Sequence, residues 1–206
     1  MVELRKRKAE PPPPVAKKSK PAPPAKSKPA ESPTPANTPK VPQVDDILDL
    51  EHFGGEIETN DGTKTSLKKL VEDSKSGVVL FTYPKASTPG CTKQACLFRD
   101  NHNHLTSTGL SIYGLSADSP KANTTFKTKQ NLSYPLLCDP GATLIGAIGL
   151  KKSPKGTVRG VFAVDKTGKV LLRETGGPDA TVDAVHKLVA QESTEEKDQN
   201  GDERKD

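Results

Sequence analysis

An α/β domain with a central mixed sheet flanked by helices, set between disordered N- and C-terminal tails, is the fold this sequence predicts. Three observations predict it. Apolar runs of strand length alternate with helix-length stretches between residues 44 and 191. Twelve of the 19 prolines fall in residues 1–43, interleaved with Lys, Ala and Ser, whereas residues 192–206 are polar and acidic. With 32% hydrophobic residues, 4% aromatic and no tryptophan, the chain holds apolar material for a single core of about 150 residues, not for two.

The elements follow in order. Ser66 is placed to cap a short helix, LKKLVEDSK, with Lys near its end to complement the helix dipole. Residues 77–83, GVVLFTY, form an unbroken apolar run, the mark of a central strand covered on both faces. A helix is expected from about residue 91 to about 105, a strand over 110–115, and a helix over 120–130 with Pro120 in its first turn. Residues 141–148 make a short helix. Residues 157–164 and 169–173 read as a hairpin joined by Asp165-Lys166-Thr167-Gly168, whose glycine suits a positive φ. Residues 180–191 close the domain, with Val182, Val185, Leu188 and Val189 at helical spacing. Strand, helix, strand, helix, then a hairpin and a last helix is the order of a thioredoxin-like fold.

The net charge of +5 divides unevenly: residues 1–43 carry +7, residues 192–206 carry −4 and the domain at 44–191 only +2. The basicity belongs to the front tail, a Pro/Lys-rich segment expected to be extended and without a core. Its clusters Arg5-Lys6-Arg7-Lys8 and Lys17-Lys18-Ser19-Lys20 suit the nuclear import machinery, and through counterion release a weak contact with nucleic acid; added solubility is the plainer role. The prolines at 11–14 forbid the amphipathic helix of a mitochondrial presequence. No run approaches the ~20 apolar residues of a membrane span, and the first residues lack a secretory apolar region. The expected location is the nucleus, with no membrane partner.

Three cysteines without a secretory signal point to a reducing compartment, where thiols are catalytic, metal-bound or inert. Cys91 falls where a Pro- and Gly-rich turn hands a buried strand to the next helix. Unpaired amides and the positive end of the helix dipole there favour a thiolate, the form that attacks a peroxide oxygen and becomes a sulfenic acid. A hydroxyl such as that of Thr88, folded back on the sulfur, would hold and orient the peroxide. Cys96 lies five residues on, which in an intact helix separates the Cα atoms by roughly 8–9 Å. A disulfide wants roughly 4.4–6.8 Å, so the two can bridge only if the first turns of the helix unwind. Duller readings stand beside this one: an inert cysteine at a helix start, or a pair spaced by accident. The pair is a poor zinc half-site, and His52, His102, His104 and His186 are scattered without supplying a second half, so no metal is expected. His102 and His104 are expected at the surface.

The pattern Pro84-x3-Thr88-Pro89-Gly90-Cys91-Thr92-x2-Ala95-Cys96, followed by Phe98-Arg99-Asp100, resembles the peroxiredoxins of the bacterioferritin comigratory protein / PrxQ class. The similarity runs on through Gly114-Leu115-Ser116-Ala117-Asp118-Ser119, Phe126, Tyr134-Pro135-Leu136-Leu137-Cys138-Asp139-Pro140 and the strand from Arg159 to Asp165, about residues 44–190. The resemblance implies that Cys91 is the peroxidatic cysteine and Cys96 the resolving one. It implies that Thr88 binds peroxide and sulfur, that Pro84 shields the site from water, and that Arg159 stabilises the thiolate and polarises the peroxide. It further implies reduction of hydrogen peroxide and organic hydroperoxides, recycling by thioredoxin, a monomer, and no metal, haem or flavin cofactor. Two positions depart from the family. Gly160 follows Arg159 where Ser or Thr is frequent and is expected to loosen the strand that aims the arginine; Cys138 stands where Ser is common and is expected to be a partly buried, passive thiol, with a role as an alternative resolving cysteine as the lesser reading. Two other functions stay open. A dithiol–disulfide oxidoreductase of this fold would typically use C-x2-C; a chromatin-associated redox sensor is weakened by the nearly neutral domain.

Overall fold

The computed structural model describes residues 41–199, with the side chains of 195–199 left aside. The basic clusters at 5–8 and 17–20 and the disorder expected for 1–40 and 200–206 lie outside the described residues. Seven strands form one mixed sheet: β1 (Glu56–Thr59), β2 (Lys64–Ser66), β3 (Gly77–Thr82), β4 (Leu110–Ser116), β5 (Leu136–Cys138), β6 (Gly160–Asp165) and β7 (Val170–Thr175), in the order β2-β1-β5-β4-β3-β6-β7. β3 and β4, and β4 and β5, run parallel, and the remaining neighbours are antiparallel. The helices are α1 (Leu67–Asp73), α2 (Pro89–Asp100), α3 (His102–Leu105), α4 (Pro120–Gln130), α5 (Thr143–Ala147) and α6 (Pro178–Gln199). This is the thioredoxin-like α/β arrangement that the order of elements predicts.

β3 is central and every residue in it is buried, as its unbroken apolar run requires. Because side chains alternate across a strand, it feeds two cores. Val78 and Leu80 join Leu67, Leu70, Val71, Ile145, Ile148 and Phe162 on the face of α1 and α5. Val79 and Phe81 join Ala95, Phe98, Phe126, Tyr134, Val182 and Val185 on the face of α2 and α6. Phe81 stacks on Phe98 at 4.3 Å between ring centroids and meets Tyr134 edge-on at 5.5 Å. Each such buried aromatic contributes roughly 1.5–3 kcal/mol relative to exposure, and together these rings hold α2 down on the middle of the sheet.

The N-cap at Ser66, Pro120 and the hairpin turn act where they were read, but α1 ends at Asp73 with no basic residue in its last turn, so the lysine expected near its end lies beyond it. Ser66 accepts from the Lys69 amide and Ser119 from the Ala122 amide, both at 3.4 Å, and Pro120 opens α4. In the hairpin turn Asp165 Oδ1 accepts from the Thr167 amide at 2.7 Å and the Lys169 amide at 2.9 Å, and Gly168 sits at φ 86°.

Other expectations are corrected. The helix expected over 91–105 is two, because Asn101 breaks it: backbone and side-chain nitrogens of Asn101 both turn back to the Leu97 carbonyl, at 3.1 and 2.9 Å. The hairpin begins at Gly160, not 157, since Thr157 bridges to Lys151 and the Val158 amide donates to Leu150. α6 runs to Gln199 rather than stopping near 191, so the acidic stretch expected to be disordered from 192 begins as helix; its Glu, Lys and Gln residues are good helix formers. At the other end Pro42 is buried and Val41 crowds Gly149, so the ordered body starts before residue 44. β1, β2 and β5 are strands the sequence did not disclose.

Candidate active site

After β3 the chain leaves the sheet through 83–88, with Ser87 at φ 61° and the Ala86 amide tied to Asp118 Oδ2 at 2.7 Å. Thr88 is the N-cap of α2, Pro89 occupies its first position, and Cys91 lies in its first turn, 1% exposed. Pro89 suits that position because its ring fixes φ and no amide is needed there.

Arg159, just before β6, spans the gap to α2. Its Nη2 lies 3.4 Å from Cys91 Sγ, and its Nη1 donates to the Gly90 carbonyl at 3.1 Å and to Gln94 Oε1 at 2.6 Å. A Cβ on Gly90 would stand 3.1 Å from Nη2, so glycine there lets the guanidinium lie across the first turn. Gln94 is fully buried and donates through Nε2 to Thr181 Oγ1 at 3.1 Å; that hydroxyl donates to the Pro178 carbonyl at 2.8 Å. The backbone around Arg159 is held as well. Thr82 Oγ1 donates to the Val158 carbonyl at 2.7 Å, and the Gly176 amide to the Arg159 carbonyl at 3.2 Å. Gly160 therefore does not loosen the arginine. A Cβ there would lie 2.6 Å from the Glu174 carbonyl, so glycine is what lets β7 close on β6.

Thr88 and Pro84 flank this centre. The Thr88 hydroxyl donates to the Lys85 carbonyl at 2.9 Å, closing the turn, and is not turned onto the sulfur; Pro84 is exposed at the start of the loop. Cys96 lies on the same unbroken helix, half-buried, with Sγ 3.7 Å from Gln130 Oε1, and both thiols are free. Cys138 is fully rather than partly buried: Asn123 Nδ2 lies 3.2 Å from its sulfur, and burial pushes the thiol up from its ordinary value, which suits an unreactive group. The histidines are less scattered than their spacing suggests. His104 and His186 meet at 4.8 Å between rings, and His102 stacks on Tyr134 at 6.0 Å.

Gln94, Thr181 and Thr82 are the supports of Arg159 that sequence reasoning missed. Gln94 alone carried a signal, being three residues from Cys91 and so on the same helical face.

A sulfur held in the first turn of a helix, on this sheet and facing a guanidinium, is the chemistry of the thiol-dependent peroxidases, the peroxiredoxins. The chain belongs to the AhpC/TSA family, which residues 49–173 match. It is 37% identical to peroxiredoxin bcp1 of Schizosaccharomyces pombe over 73% of this chain and 80% of that one. Two solved structures have the same fold: peroxidoxin BcpB from Mycobacterium tuberculosis, 32% identical with a TM-score of 0.62 over 66% of this chain and 92% of that one, and Xanthomonas campestris peroxiredoxin Q, 27% identical with a TM-score of 0.63 over 72% and 99%.

Proposed function

We propose that this peroxidase reduces hydrogen peroxide and organic hydroperoxides with Cys91, resolves the product with Cys96, and is recycled by thioredoxin. The observation that carries the proposal is the 3.4 Å approach of Arg159 Nη2 to Cys91 Sγ. A guanidinium so placed favours negative charge on the sulfur and, as the peroxide bond breaks, on the departing oxygen. The thiolate takes one peroxide oxygen and the other leaves, with a proton, as water or an alcohol. The sulfenic acid is then attacked by the Cys96 thiol, which expels water and forms a disulfide. Because α2 is coiled over both cysteines, the bridge needs the turns between them to open. A dithiol of the thioredoxin type restores both thiols by exchange.

Thr88 becomes a peroxide ligand by rotating its hydroxyl from the Lys85 carbonyl toward the sulfur, a single staggered step. Pro84, carrying no amide hydrogen, borders the site without offering water a donor. In this reading the chain acts as a monomer, and the basic segment ahead of residue 41 directs it to the nucleus and touches nucleic acid weakly.

The test is mass spectrometry of the full chain after one equivalent of peroxide, in parallel with a version lacking residues 1–40. Both should carry a Cys91–Cys96 disulfide, and only the full chain should accumulate in nuclei. A stable sulfenic acid with no disulfide, or consumption of peroxide by Cys91→Ser, defeats the assignment.

A further inference from the structure

We propose that Tyr134 is a positioning residue for the resolving step: its hydroxyl pins the half of α2 that carries Cys96 and so sets how soon an oxidised Cys91 is reached. The proposal rests on the pairing of Cys91 with Cys96 given above.

Tyr134 is 2% exposed, and its hydroxyl donates at 2.7 Å to the carbonyl of Ala95, the residue just before Cys96. That carbonyl lies inside α2, so the phenol adds a second donor to a backbone group the helix already uses. The ring does not follow the helix if it moves. Phe81 meets it edge-on, His102 covers a face, and the Tyr134 carbonyl accepts from Lys127 Nζ at 2.9 Å. The end of α4 holds the same part of α2: the Gln130 carbonyl accepts from Arg99 Nη1 at 2.6 Å, and its side-chain oxygen faces Cys96 Sγ.

α2 is thus fastened at two places, by Arg159 and Thr181 near Cys91 and by Tyr134 and Gln130 near Cys96. Between them Lys93 reaches Asp179 at 2.6 Å, an exposed pair of little strength. Closing the disulfide requires the chain to uncoil between these anchors, which swings the Ala95 carbonyl away. The buried Tyr134 hydroxyl then loses this acceptor, a loss that opposes opening.

A chemical choice follows. The Cys91 sulfenic acid is attacked either by the Cys96 thiol, giving the disulfide and water once the helix opens, or, while the helix stays coiled, by a second peroxide. That second peroxide passes an oxygen to the sulfur, leaving a sulfinic acid and water or an alcohol. By holding the helix closed, Tyr134 lengthens the interval in which the second fate competes.

Tyr134→Phe keeps the ring and deletes only the hydroxyl. Rapid-quench alkylation and mass spectrometry of the full-length protein should show sulfenic acid forming at the wild-type rate and disulfide forming about tenfold faster, the equivalent of ~1.4 kcal/mol. At high peroxide, sulfinic acid at Cys91 should fall in proportion. An unchanged disulfide rate and sulfinic yield overturns the proposal, with or without a lowered melting temperature. 3-Fluorotyrosine at position 134, a stronger donor of nearly the same size, is expected to slow disulfide formation, and it decides the matter if Tyr134→Phe does not fold. Wild-type protein that never forms the Cys91–Cys96 disulfide would instead remove the pairing itself.

Discussion

Gln94 shows how much of the site depends on one neutral amide. It accepts the 2.6 Å bond that stops Arg159 from swinging off the sulfur, and it is itself stopped by Thr181. Among the described residues no carboxylate pairs with Arg159, so its charge faces Cys91 undivided. Gln94→Leu should lower kcat/KM for hydrogen peroxide by about 10- to 100-fold, ~1.4–2.7 kcal/mol of transition-state stabilisation, while the fold survives. Gln94→Glu keeps an acceptor but offers a competing negative charge, and steady-state kinetics should place it between wild type and Gln94→Leu. At this scale the sequence was partly legible. Cys91, Cys96 and Arg159 stand in a pattern of residue types, but the hydroxyls that hold them do not. The bonds from Thr82, Gln94 and Tyr134 reach partners 76, 87 and 39 residues away, where no local spacing announces them.

At the level of elements, α2 carries both cysteines, and the proposed disulfide requires it to come apart. Hydrogen exchange should be slow for amides 92–97 in the reduced chain and fast after one turnover without reductant. Equal protection in both states would mean the disulfide forms by some other movement. The break at Asn101 limits how far this loosening travels, because α3 makes its own bonds and buries Leu105. The longer elements could be read beforehand: β3 from its apolar run, α4 from Pro120, the closing helix from its apolar stripe. The short strands could not. β2 and β5 have three residues each, too few for an alternating pattern to emerge, and they exist because neighbouring strands offer free edges. Gly160, suspected as a weakness when read alone, is demanded by a strand that approaches from later in the chain.

For the molecule as a whole, the buried tyrosines set an alkaline limit. Burial lifts the ionisation of Tyr83 and Tyr134 well above the ordinary value of 10.0, and that of half-buried Tyr113 less far. A raised folded-state value means the stabilisation is complete below pH 10 and is lost as the pH climbs past it, at about 1.4 kcal/mol per pH unit for each fully buried tyrosine. Absorbance titration at alkaline pH should therefore register Tyr113 first, with Tyr83 and Tyr134 appearing only together with loss of the fold. Separate, early titration of all three would contradict their burial.

The sheet divides the apolar interior into two layers, and α2 contributes Cys91, Ala95 and Phe98 to only one of them. The layer beneath α1 and α5 has no stake in the catalytic helix. If Cys91 and Cys96 pair as proposed, part of one wall is dismantled on every turnover while the opposite wall stays standing, and each reduction rebuilds the helix against a surface that was never taken down.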